Sequence, residues 1–135
     1  MSWRKISKYG IALFVAQFLV GLADGFFGPA WSAEELHLGM AWMFGSWLVL
    51  FSVCSSIFAR MAIHQSSRAF AHAWLALLLP VVIGVVLNLA ISRFLAPAPM
   101  FFIAIEIVMM AAALFVGTLV GLIIKGRAEA DQANV

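Results

Sequence analysis

Charge is what this sequence has least of. Asp, Glu, Lys and Arg together make up 10% of its 135 residues, against about 25% in a typical soluble domain. So few polar groups can neither coat a water-exposed surface nor keep a chain disordered, which excludes a soluble globular domain and an intrinsically disordered one. Cysteine occurs once, as Cys54 in an apolar run. An intrachain disulfide, a Cys-x-x-Cys redox pair and a zinc ribbon are therefore excluded. The net charge of +2 includes no Lys/Arg-rich helix, so nucleic acid has no electrostatic footprint to bind. The G-x-S-x-G, H-E-x-x-H and P-loop patterns are absent as well.

What the chain does have is apolar surface: 65% of it is hydrophobic and its mean hydropathy is +1.08. A transmembrane helix needs roughly 20 consecutive, mostly apolar residues. Four segments meet that need, over 9–28, 38–59, 69–92 and 100–124. They predict an all-α integral membrane protein, a single domain over 1–135 in which four transmembrane helices form a compact bundle. Its first partner is the lipid bilayer. The basic start Trp3-Arg4-Lys5 with Lys8 imitates the n-region of a signal peptide. The apolar stretch behind it is longer than an h-region, so it reads as a retained span.

Pro29 closes the first span, and Ser32 with Glu35 has the spacing of a capping box for a second helix starting near Ala33. Residues 60–68 read as a basic connector, 93–99 as a short turn and 125–135 as a polar tail. Pro80, in the middle of the third run, offers no N–H and crowds the Ala76 carbonyl, which predicts a kink. Short-loop Lys and Arg divide seven to one: Arg4, Lys5, Lys8, Arg60, Arg68, Lys125 and Arg127 on one side, Arg93 on the other. The positive-inside rule then puts both termini in the cytoplasm, in an inner membrane of bacterial type. Trp3 and Trp74 fall at the inner interface, Trp31 and Trp42 at the outer one.

Lipid tails are as apolar as Leu, so helices associate in a bilayer by close packing at small residues. At about 100° per residue, Gly10, Gln17, Gly21, Asp24 and Gly28 share a face of the first helix, overlapped by the Gly21-x-x-x-Gly25 spacing. Ala41, Gly45, Ser52, Ser56 and Ala59 line a face of the second helix, and Ala73, Gly84 and Asn88 one of the third. On the fourth, Glu106, Met110, Ala113, Gly117 and Gly121 form a stripe. These stripes either pack the bundle internally or, the fourth helix's foremost, meet another copy or another membrane protein.

Asp24 and Glu106 are the acids inside apolar spans, where an ionised group costs on the order of 2.5–3.5 kcal/mol and needs a partner or a purpose. Counted from the outer end of each run, both lie about 8–9 Å deep, in one slab, with Arg93 placed to snorkel toward them. Three readings are open: an ion-paired or protonated cluster that fixes register, a proton or cation relay, and a contact between Glu106 and a partner's base. Arg93 sits about 140° from Asn88 around an ideal helix, so both cannot point inward. His64 and His72 have no acid or Cys beside them, which leaves no metal site, and Ser52, Ser55 and Ser56 lack an in-span base. No cofactor box is present. The expected function is that of a non-enzymatic membrane subunit acting through helix–helix association, in a homo-oligomer or a larger complex. The alternative is a small oligomeric proton- or cation-linked transporter or channel using Asp24 and Glu106.

Overall fold

A computed structural model describes residues 3–28, 36–64, 68–91 and 100–133. It is all-helical: α1 spans Trp3–Phe27, α2 Leu36–His64, α3 Ala69–Ile91 and α4 Met100–Ala133, each long and apolar enough to cross a membrane. Four such helices are compatible, by length and composition, with a multi-pass membrane helical protein. Three helices run past the apolar segments that announce them. α1 begins at Trp3 rather than near 9, α2 continues through Arg60 to His64, and α4 carries the polar tail to Ala133. An apolar run marks where lipid can be, not where helical hydrogen bonding stops. The tail keeps good helix formers (Ala128, Glu129, Ala130), and the Lys125–Glu129 ion pair, 3.8 Å apart at i,i+4, supports it.

α2 and α4 form the tightest pair, and their contact depends on two glycines. A Cβ on Gly117 would collide with the Ser55 carbonyl and lie 2.9 Å from the Phe58 Cβ. One on Gly121 would collide with the Ala59 carbonyl and lie 2.8 Å from the Ala62 Cβ. Buried Ala113 continues the same face. The fourth helix's small-residue stripe is therefore an intrachain seam and not a surface for another copy. α1 meets α3 by a similar device. Pro80 is buried within an α3 that remains one continuous helix, and it leaves the Ala76 carbonyl without an i+4 donor. Gly10 packs over that carbonyl, its Cβ position 3.2 Å from the oxygen.

Burial is uneven along the bundle. In α1 the buried residues are Ile6, Gly10 and Leu13, and none follows from 14 to 28. In α3 they stop at Pro80, and in α4 they start at Met110. Phe58, Leu13, Met61, Met110 and Leu114 fill the core at the end that holds the N-terminus of α1 and the C-terminus of α4. All seven of the cations expected inside belong to that closed end. At the opposite end the helices part. Phe26, Phe27, Val86 and Phe101 stand largely exposed there, an arrangement that suits lipid rather than water.

Candidate functional site

The parted end contains two clefts, each with one carboxylate. The smaller, of about 210 Å³, lies between α1, α3 and α4, with Pro80, Val81, Gly84, Ile103 and Met110 among its apolar lining. Its polar groups are Gln17, Asn88 and Glu106, one from each helix. Gln17 Nε2 donates to Glu106 Oε1 at 2.8 Å. Asn88 has no hydrogen-bond partner among the described residues. The periodic faces placed Gln17, Asn88 and Glu106 inward; what they did not supply was the direct Gln17–Glu106 bond that joins α1 to α4.

The larger cleft is a lateral groove of about 710 Å³ between α1 and α2. Val20, Ala23 and Phe27 wall it on one side, and Leu38, Ala41, Gly45 and Val49 on the other. Asp24 projects into it and accepts hydrogen bonds from Trp42 Nε1 (3.0 Å) and from the Ser46 hydroxyl. Trp42 and Ser46 are four residues apart and so share a face of α2. That spacing is the available signal for an acceptor opposite, but Trp42 fits an interfacial belt equally well, so the sequence does not single it out.

Asp24 and Glu106 are not brought together. Glu106 is level with Gln17, seven residues or roughly 10 Å along α1 from Asp24. The shared slab expected from sequence fails because the outer ends of the two apolar runs do not lie in one plane. Arg93, the expected third member, lies outside the described residues, as do Trp31, Ser32 and Glu35. Gly21 and Gly25, expected to pack, meet no other helix among the described residues: a Cβ built on either has nothing across from it within 4 Å. Both glycines are exposed, so their spacing serves no contact among the described residues.

Each carboxylate is thus held by neutral donors. Among the described residues the one ion pair is Lys125–Glu129, on the surface. The rings of His64 and His72 bond through Nδ1 to the carbonyls of Arg60 and Arg68 (2.8 and 2.9 Å), each one turn back along the chain. No cluster of three His, Cys, Asp or Glu capable of holding a metal occurs among the described residues. Chemically, the parted end offers two carboxyl groups in largely apolar clefts, with no Lys, Arg or His among the described residues lining either. In comparisons with known protein families, with characterised proteins and with solved structures, nothing matches this chain.

Proposed function

We propose that the protein is a non-enzymatic subunit of an inner-membrane assembly, with both termini cytoplasmic, working through helix–helix association at the parted end. The observation that carries this reading is the α1–α2 groove. It opens sideways, and Ala23, Ala41 and Gly45 along it allow another backbone close approach. Asp24 adds an acceptor that a polar or basic residue of an incoming helix can use. Gly21 and Gly25, open on the same half of α1, extend the surface available to that helix. The incoming helix belongs to a second copy of this chain or to another membrane protein.

The test is a native mass measurement after mild-detergent purification, on wild type and on Gly45→Leu. Gly45 lines the groove, and a Cβ there meets nothing within 4 Å. The substitution should leave the monomer's melting unchanged and dissociate the assembly. A wild type that runs as a lone chain, or a Gly45→Leu that stays assembled, would refute the reading.

A second reading, a small oligomeric proton- or cation-linked transporter, is favoured by one specific observation: Glu106 sits with two carboxamides in a crevice among three helices. pH- or ion-dependent flux in liposomes, abolished by Glu106→Gln, would support it. Asp24 lies in a different cleft, so its replacement by Asn should affect flux less. Absence of flux from the wild-type protein would end this reading while leaving the first intact.

A further inference from the structure

We infer that the crevice between α1, α3 and α4 is a binding site for a small primary ammonium ion, seated among Glu106, Gln17 and Asn88. The sign of the charge comes first. Glu106 is acidic, its one hydrogen bond comes from a neutral amide, and no Lys, Arg or His among the described residues lines the crevice. A bound anion would face that carboxylate, whereas a cation supplies the charge the site lacks.

The number of acceptors then selects among cations. Gln17 uses Nε2 on Glu106 Oε1, so its carbonyl oxygen remains an acceptor, as does the second carboxylate oxygen of Glu106. Asn88 lines the same crevice, and its side chain has no partner among the described residues, so its carbonyl oxygen is available as a third acceptor. Three acceptors on three helices match the three N–H donors of a primary ammonium. A quaternary ammonium has no donor and would leave all three acceptors unpaired. A hard metal ion such as calcium takes six to eight oxygens, and the remaining wall here is apolar.

Size sets the body attached to the nitrogen. Liquid water occupies about 30 Å³ per molecule, so the crevice, at about 210 Å³, holds roughly seven small heavy atoms. A short alkyl chain beyond the nitrogen would lie against Val81, Ile103 and Met110. The inference uses the crevice of the second reading but not its transport step. Binding is measured without a membrane gradient: flux lost with binding intact refutes only transport, and binding lost with flux intact refutes only this ligand class.

The experiment is equilibrium dialysis of labelled n-propylammonium against the purified full-length protein in detergent at neutral pH. Wild type should bind about one equivalent per chain, displaced by excess unlabelled propylammonium but not by equal concentrations of tetramethylammonium or sodium. Glu106→Gln should weaken binding at least tenfold. Asn88→Leu, which sacrifices no hydrogen bond among the described residues and fills the crevice, should do the same, and it decides the matter if Glu106→Gln fails to fold. Glu129→Gln, on the surface, should bind within twofold of wild type. Several outcomes would overturn the proposal: no binding by wild type, wild-type affinity in Asn88→Leu, or displacement by tetramethylammonium or sodium at equal concentration. So would binding that appears only after Arg93→Gln, since the crevice would then be the seat of the chain's own guanidinium.

Discussion

Replacing Gly117 by Ala adds one methyl group at the α2–α4 seam, and its cost can be worked from the geometry. The new Cβ lies 2.9 Å from the Phe58 Cβ and collides with the Ser55 carbonyl. Carbon atoms pack best at about 3.5–4.0 Å, so the helices must separate by roughly 0.6–1 Å. A gap of that size forfeits about a quarter to a half of each dispersion contact, worth ~0.1–0.2 kcal/mol apiece. Over some 40–60 atom pairs, about what one buried Leu makes, the loss is on the order of 2–3 kcal/mol. Ala improves helix propensity over Gly by about 1 kcal/mol, which leaves a net destabilisation of about 1–2 kcal/mol. Gly121→Ala should behave alike, since its Cβ would lie 2.8 Å from the Ala62 Cβ. The double variant should cost little more than either single one, because helices already held apart need not move again. Gly117→Leu should prevent the seam from closing. The assay is reversible unfolding in mixed micelles by SDS titration, followed by far-UV circular dichroism, with Gly21→Ala and Gly25→Ala as controls that meet nothing. Wild-type or higher stability for Gly117→Ala, or strict additivity in the double variant, would refute the reasoning.

Thr118 is fully buried beside that seam and its hydroxyl has no hydrogen-bond partner among the described residues. Thr118→Val keeps the shape without the hydroxyl, so it should be neutral or stabilise by up to about 1 kcal/mol in the same titration; a loss above that would mean the hydroxyl is bonded. Arg68 holds φ at 57° where it leads into α3, a left-handed conformation that costs a side chain roughly 1–2 kcal/mol and glycine little. Arg68→Gly should therefore raise stability by about 0.5–1 kcal/mol, and a drop would show that the arginine makes a compensating contact. A double-mutant cycle of Asp24→Ala and Ser46→Ala should give a coupling of about 0.5–1.7 kcal/mol, the scale of side-chain hydrogen bonds between membrane helices; zero coupling would remove the bond. Reporter fusions at Val135 and near Pro97 should show opposite sidedness, as the seven-to-one Lys/Arg split requires, and matching sidedness would eliminate a four-span topology.

The helices and the residues of the seam were legible in the sequence, because both follow from local patterns: apolar runs of membrane length, and small residues every fourth position from Ala113 to Gly121. Partnership was not. Gly21 and Gly25 have the same spacing as Gly117 and Gly121, yet one pair opens outward and the other locks onto α2. Spacing records that a face is small but not what meets it. Depth failed for a related reason. Gln17 and Asp24 both lay on the inward face, and deciding which of them would meet Glu106 required the offset of α4 against α1. That offset is set by where Gly117 and Gly121 cross α2, which is a property of the assembled bundle and of no single segment.

α4 runs as one helix from Met100 to Ala133, and the crossing at Gly117 and Gly121 divides it into two arms. Glu106 lies eleven residues, about 17 Å, on one side of Gly117, and Ala133 lies twelve residues, about 18 Å, beyond Gly121. α4 is held along its buried stretch from Met110 to Gly121, and both of its arms project beyond that stretch. A tilt of about 10° there swings both ends by roughly 3 Å, in opposite directions, over arms of these lengths. A tilt of that size, set from the charged end beyond Lys125, would move Glu106 relative to Gln17 by about the length of the hydrogen bond that joins them.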